Sequence, residues 1–370
     1  MTPLRIAING RFLLQPVTGV QRYARELVGA LDDLLQAQMG VAVEVYMPRM
    51  PAAVPRWKNI GLHVAGKLRG HAWEQFELPR LSAGQVLFCP GNTAPAASLL
   101  SRQKVVVCVH DLSYKYFPEA YSRAFRLLYG ALIPLVLRRA DAIVTVSESE
   151  RLAITRYYPF AASRLVAIQN GGRGRPAEQA PAVPASIKGY VLYVGSLSKR
   201  KNFPGMLEAA CRLVRRRGFS FVFVGAVSSS LTASAGTIPD DMKDHIRFAG
   251  QVDDPAELAG YYENAACFLF PSFYEASPLP PIEAMAFGCP VIASDIPSLR
   301  ERCGAAAVYC DPGSIASIEQ AVERVMDDAS LRETLRLGGY RRSELFSWEA
   351  CARRVLDVIR DVSAPAGGHL

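Results

Sequence analysis

At 370 residues, half of them apolar, the chain is too long for one ordinary core and too apolar for a disordered polymer, so two globular domains are expected. No apolar run approaches the ~18 residues of a membrane-spanning helix; the longest, 127–137, is flanked by Arg126, Arg138 and Arg139. The net charge of +8 sits wholly in the first half, where residues 1–172 hold 20 Lys and Arg against 11 Asp and Glu, while residues 173–370 hold 22 against 23. Nucleic acid is one partner that such charge suits, but no nucleic-acid motif or aromatic-rich basic stripe accompanies it, which argues against that partner, and an anionic membrane surface or a diphosphate-bearing acceptor fits the charge equally well.

Short apolar runs alternate with helical patterns along the chain. Strands are predicted at 5–9, 41–46, 85–88, 104–109, 142–146 and 165–169, then at 190–194, 221–224, 246–249, 267–270, 290–293 and 307–309. Most are continuous rather than alternating, as expected of parallel strands buried on both faces. Val20, Tyr23, Ala24, Leu27, Val28, Leu31, Leu34 and Leu35 follow helical spacing and form the first crossover helix. The periodicity stops in the Gly/Pro-rich stretch GGRGRPAEQAPAVPASIKG at 171–189, the expected domain boundary. Each half then has about the six strands of a doubly wound Rossmann-like domain, with ligands at the carboxyl ends of the strands. The opening MTPLRIAING runs straight into a strand without a signal-peptide layout, and 363–370 reads as a frayed tail. The eight cysteines form no CxxC pair and sit in apolar surroundings, so they are expected to be reduced core residues of a cytoplasmic protein, with no metal site.

Four places carry chemistry. In FPSFYEASPLPPIEAMAFGCPVIA, 270–293, Glu275 lies in a loop after an apolar strand. Glu283 falls near the third position of a helix opened by Pro280 and Pro281 and closed by Gly288. In GSLSKRKN, 195–202, Lys199, Arg200 and Lys201 precede Asn202, an expected helix cap; cations beside a helix start at a strand's carboxyl end suit a diphosphate. The loop 9–19 ends at Thr18 and Gly19 against the first helix, where backbone can approach a phosphate. His110 ends the apolar strand KVVVCV. The run GLHVAGKL, 61–68, nearly matches a P-loop, but Leu68 lacks the metal-binding hydroxyl and no strand is predicted before it, so an ATPase is rejected.

Together these segments resemble the retaining glycosyltransferases of family 4, in their bacterial polysaccharide-assembly, mannosyltransferase-like subgroup. The resemblance is carried in order by TGVQRYARELV at 18–28, HAWEQFELPRL at 71–81, VHDLSYKYFPEAY at 109–121, RRADAIVTVSESE at 138–150, YVGSLSKRKNF at 193–203, the 270–295 segment and FSWEACARRVL at 346–356. It implies the α/β GT-B fold: two doubly wound Rossmann-like domains facing across a cleft. The N-terminal, acceptor-side domain is then 1–172, the linker 173–188, the nucleotide-sugar domain 189–345, and 346–362 a helix crossing back to the first domain.

The resemblance also implies roles. Arg200 and Lys201 hold the donor diphosphate, with Gly19 beside the phosphates. Glu283 bonds the nucleotide ribose, and backbone around Ser277 and Leu279 adds N–H groups. Glu275 contacts the donor sugar, and His110 contacts the sugar and supports charge at the reacting carbon. The implied reaction is metal-independent, configuration-retaining transfer of a hexose, by front-face attack through an oxocarbenium–diphosphate ion pair. No cofactor is implied; the nucleotide sugar is the substrate, GDP-mannose first, with UDP-hexoses and dTDP-sugars behind. The acceptor is a lipid-linked or oligosaccharide chain at the inner face of the cytoplasmic membrane, with the protein peripheral to anionic lipid. Two departures stand out. Ala276, Ser277 and Pro278 occupy a turn that is glycine-rich in the family, and Gln21 replaces a common glycine, narrowing phosphate access or adding a side-chain contact. Two other readings use the same features: a sugar-nucleotide 2-epimerase on this fold, and a non-catalytic sugar-nucleotide-binding protein.

Overall fold

Buried β-branched and aromatic runs build the strands of a computed structural model that describes residues 3–172, 189–226 and 240–364. The first seven are β1 (Leu4–Asn9), β2 (Val41–Met47), β3 (Ile60–Val64), β4 (Val86–Cys89), β5 (Val105–Cys108), β6 (Ala142–Thr145) and β7 (Leu165–Ala167). Six more follow: β8 (Tyr190–Val194), β9 (Phe221–Val224), β10 (Ile246–Gly250), β11 (Ala265–Phe270), β12 (Val291–Ser294) and β13 (Ala307–Cys310). Every residue of β4, β5 and β6 is buried, which is why these segments read as unbroken apolar runs.

The chain divides into two compact units, Met1–Gly171 with Trp348–Leu370, and Gly172–Ser347. Among the described residues the first holds a seven-stranded sheet in the order β3-β2-β1-β4-β5-β6-β7, and the second a six-stranded sheet in the order β10-β9-β8-β11-β12-β13. All the pairings are parallel; Leu4 sits opposite Val41, Ile6 opposite Val86 and Phe268 opposite Val291. In each sheet the strand order reverses once, between β1 and β4 and between β8 and β11. Loops leaving those carboxyl ends diverge there and open a crevice, the usual ligand position in open α/β sheets.

Two expectations need correction. β3 was not foreseen because only Ile60 of its five residues is buried; this polar edge strand lacks the apolar run that marks its neighbours. The P-loop-like stretch therefore does begin on a strand, but the backbone N–H groups of Lys67 and Leu68 donate to the Glu77 carboxylate at 3.0 Å, so the loop wraps its own acid. The expected linker, 173–188, and residues 365–370 of the expected tail lie outside the described residues.

The helix Trp348–Ser363 packs on the Gly19–Leu35 helix of the first unit through Cys351, Ala352, Val355, Leu356 and Ile359, a stripe at helical spacing. The Trp348 ring meets Tyr23 edge-on at 5.8 Å between centroids. Gly171 makes room for it, since a Cβ there would lie 2.4 Å from the indole.

Candidate functional site

In the second unit, the loops leaving β8 and β11 are neighbours because their strands pair in the sheet. Phe273 N–H donates to the Arg200 carbonyl at 3.0 Å, and Arg200 Nη1 donates to the Tyr274 carbonyl at 3.0 Å, which ties the loops together. The result is a triad at the switch point. Lys201 Nζ donates to Glu275 Oε1 in a short ion pair, and Arg200 Nη1 lies 3.7 Å from Glu275 Oε2. Lys201 also stands 4.9 Å over the Phe270 ring. Burial lowers the Lys201 ammonium below its ordinary pKa, and the Glu275 charge offsets part of that effect. Glu275 is buried, while the Arg200 side chain keeps about a third of its surface, 35 %, exposed. Two cations against one carboxylate leave one net positive charge at the carboxyl edge, suited to an anion.

Asn202 occupies the position before the Phe203–Arg217 helix, but its side chain does not cap it. Its backbone is left-handed, φ 58°, and Nδ2 donates instead to the Pro312 carbonyl at 2.7 Å. The Lys199–Asn202 turn is thereby pinned to the loop after β13.

Glu283 is buried in the first turn of the Pro280–Ala286 helix. With Leu279 as the capping position, Glu283 is the fourth helical residue, one later than expected, and its N–H is taken by the Leu279 carbonyl at 3.0 Å. Tyr262 Oη donates to Glu283 Oε2 at 3.4 Å. Ser277 and Leu279 lie in the turn leading into this helix. That turn is braced from beneath: fully buried Arg302 donates from Nε to the Pro278 carbonyl at 3.3 Å and stacks 4.1 Å over the Phe346 ring. The prolines and Arg302 thus give the Ala276–Pro278 turn a fixed shape in place of glycine freedom.

In the first unit, Gly19 opens the Gly19–Leu35 helix, and a Cβ there would meet nothing within 4 Å, so packing within the described residues does not demand glycine. Gln21 acts as a cap: its Oε1 accepts from Thr18 N–H at 3.3 Å and from the Thr18 hydroxyl, and its Nε2 donates to Gln15 Oε1 at 2.9 Å. His110 lies two residues beyond β5, buried, its ring 4.7 Å from that of Tyr23 in an edge-on contact. Its Nε2 sits 2.8 Å from the Pro90 carbonyl, which can only accept, so Nε2 carries the hydrogen. Burial lowers its pKa, with Pro90 and Asp111 acting the other way, so the neutral ring is favoured. Left-handed Asn92, φ 56°, receives the His110 N–H on Oδ1 at 2.7 Å and fixes the turn.

A second charged cluster went unrecognised in the sequence. Glu74 is buried and accepts from Asn9 Nδ2 at 2.7 Å, Arg11 Nη1 at 2.5 Å and Thr93 Oγ1 at 2.9 Å, and lies 3.3 Å from His71 Nδ1. Arg11 Nη1 and Nη2 are 2.8 and 3.2 Å from the two His71 nitrogens. Burial alone raises the Glu74 carboxyl pKa, but the His71 bond and the Arg11 charge outweigh it and hold the acid below its ordinary range. The available signal was His71 and Glu74 one helical turn apart inside HAWEQF.

Comparison with known proteins adds identity to this geometry. Residues 17–171 match the model described as Glycosyltransferase Family 4, and residues 174–342 the model described as Glycosyl transferases group 1. The chain is 28% identical over 275 residues to O-antigen chain mannosyltransferase B of Escherichia coli, covering 70% of each chain. It is 24% identical over 320 residues to O-antigen chain mannosyltransferase RfbU of Salmonella typhimurium, covering 83% of this chain and 87% of that one. Among solved structures it superposes on sucrose-phosphate synthase from Thermosynechococcus elongatus with a TM-score of 0.73, 21% identity and coverage of 97% and 99%. WaaG, a glycosyltransferase involved in lipopolysaccharide biosynthesis, gives a TM-score of 0.69, 15% identity and coverage of 99% and 100%. These likenesses place the two Rossmann-like units in the GT-B class.

Proposed function

The chain belongs to the family 4 glycosyltransferases, and we propose that it moves a hexose, mannose first, from a nucleoside-diphosphate sugar to a lipid-linked or saccharide acceptor in cell-surface polysaccharide or lipopolysaccharide synthesis. The observation that carries this reading is the Arg200–Lys201–Glu275 triad at the switch point of the second sheet. A donor diphosphate competes with Glu275 for the two cations. As the phosphates take Arg200 and Lys201, Glu275 turns to the sugar hydroxyls. The same cations then hold the charge that grows on the departing diphosphate, the main electrostatic requirement of the step. Glu283, buried beside Tyr262, is assigned to the ribose hydroxyls, and Gly19 to the phosphates. His110, neutral with Nε2–H committed to Pro90, has only its Nδ1 lone pair to offer, so it acts by facing electron density toward the reacting carbon rather than by giving up a proton. The transfer retains configuration and needs no metal: the leaving phosphate takes the acceptor proton in a short-lived ion pair. Mannose is favoured by the names of the two O-antigen relatives.

We also place the protein in the cytoplasm, peripheral to the membrane. No helix among the described residues is long and apolar enough to cross a membrane. The Arg123–Arg139 helix supports a surface contact, with Leu127 77% exposed between Arg123, Arg126 and the basic last turn.

The test is a thermal-shift panel of sugar nucleotides followed by NMR of the product's anomeric signal. A donor at 100 times its Kd raises stability by about 2.7 kcal/mol. GDP-mannose is expected to shift melting most and to yield an α-linked product. Sugar conversion without acceptor would instead mark a 2-epimerase, and donor binding without transfer a non-catalytic binder.

A further inference from the structure

A second anion site lies in the first unit, away from the triad. The loops after β1 and β2 and the entry to the Gly70–Phe76 helix enclose a cavity of about 100 Å³ whose walls include Arg11, Gln15, Arg49, Arg69 and Gly70. That volume holds several waters, enough for one phosphate-sized group. Its position is the carboxyl edge of the sheet, where parallel-sheet proteins bind ligands.

The lining holds three guanidinium groups and an amide beside the apolar Leu14 and Pro48, and no acid. Arg49 and Arg69 are exposed and have no ion-pair partner among the described residues. Arg11 is nine-tenths buried, 9% exposed, and although its Nη atoms serve Glu74 and His71, its Nε–H has no hydrogen-bond partner among the described residues. A buried donor left unpaired is costly. The bond from Gln21 already uses Gln15's amide oxygen, so what Gln15 offers is its NH₂. Beside them Gly70 leaves open space, nothing lying within 4 Å of where its Cβ would be. Glu74 neutralises Arg11, so the surplus charge of the cavity is that of Arg49 and Arg69.

Three guanidinium groups and an amide around one small cavity match a tetrahedral, multiply charged oxyanion better than a single carboxylate, because a phosphate offers oxygens in several directions at once. We propose that this cavity binds a phosphate-ester or diphosphate group carried by the acceptor. Naming the acceptor rests on the glycosyltransferase reading above; the anion site itself does not.

The test is calorimetric titration of the full chain with sodium pyrophosphate at low salt, comparing wild type with Arg49→Gln/Arg69→Gln. Both residues are exposed and outside the buried cluster, and an unchanged urea midpoint confirms the variant's fold. The double substitution is expected to weaken the cavity's pyrophosphate binding at least tenfold while leaving that of Arg200 and Lys201, and added salt to weaken both. If the variant binds as the wild type does, or the wild type binds none, the proposal is overturned; the first result would mean that pyrophosphate sees only Arg200 and Lys201.

Flotation with phosphatidylcholine vesicles, with and without a polyprenyl phosphate, identifies the source. Retention that needs both the polyprenyl phosphate and the two arginines assigns the group to a lipid. Arginine-dependent pyrophosphate binding without retention assigns it to a soluble sugar phosphate. Each supports the site. A preparation without transfer activity that still binds pyrophosphate through Arg49 and Arg69 would remove the transferase reading and leave the anion site standing.

Discussion

Each unit places a buried carboxylate among cations at the carboxyl edge of a parallel sheet, and the two carboxylates differ in how completely they are satisfied. Glu74 accepts from Asn9, Arg11 and Thr93, lies against His71, and its side chain is 1% exposed. Glu275 is held by Lys201 and approached by Arg200, and Arg200 remains partly in solvent. A carboxylate whose partners saturate its oxygens has nothing left to give a ligand; it fixes the loops around it. A carboxylate shared between two cations, one of them open to water, can be exchanged for an incoming anion. The contrast separates a structural acid from a working one on the same architecture.

The comparison breaks first at Glu74. Glu74→Ala leaves Arg11 buried without its counter-charge, and losing one partner of a buried pair costs about 3–5 kcal/mol. Urea denaturation should show that loss; a variant of near wild-type stability with impaired turnover would reverse the assignment. Glu275→Gln is expected to do the opposite. It keeps the side-chain shape while removing the charge shared by Lys201 and Arg200, and turnover should fall on the order of a hundredfold, as when one transition-state contact is lost. The stability loss should be smaller than at Glu74, because the new amide oxygen can still accept from Lys201 and Arg200 is partly solvated. Steady-state kinetics beside the same urea titration checks both.

The sequence made the two sheets legible, and the site less so. Strands such as Val105–Cys108 and Phe221–Val224 are wholly buried and carry an unbroken apolar code. β3 carries none, being a polar edge. The resemblance brought out Arg200, Lys201, Glu275 and Glu283 as separate contacts, because each stands in a short motif. That Lys201 and Glu275 hold one another, 74 residues apart, is a consequence of β8 pairing with β11 and has no local signature. Arg11, His71 and Glu74 were missed for the same reason; their separations of 60 and 63 residues are closed by the fold alone. Asn202 shows the opposite failure. Its residue type fits a cap, but its backbone is left-handed rather than extended and its amide is anchored to the Pro312 carbonyl.

His110 gives a sharper, smaller test within the first unit. Its folded pKa lies below the ordinary histidine value of about 6.5, because burial disfavours the charged ring. As pH falls through that value the unfolded chain takes up a proton that the folded chain refuses. Stability therefore holds above about pH 6.5 and declines as pH drops from there toward the lowered folded value. His110→Gln should flatten that part of the stability–pH curve in urea titrations at pH 7.5, 6.5 and 5.5. A wild-type curve that is flat there, or a variant equally steep, would mean that the ring is charged in the folded state and that its Pro90 bond belongs to an imidazolium.

The smallest effect is expected at Gln21, where the two readings of a replaced glycine give opposite signs. The side chain ties Thr18 to Gln15 and so sets the loop that precedes Gly19. Gln21→Ala removes the cap, and helix stability should drop by about 0.5 kcal/mol, the low end for a lost cap. Because Gln21 is two residues from Gly19 and bonded to Gln15 of the anion cavity, freeing the loop should raise substrate KM a few-fold with kcat unchanged, the mark of binding lost equally from ground and transition states. If Gln21 instead restricts access to the phosphates, the same substitution lowers KM despite the lost cap. The direction of the KM change thus decides whether this position is a brace or a barrier, and whether the open first-unit loop behaves like the exchangeable triad of the second unit or like the saturated cluster beside it.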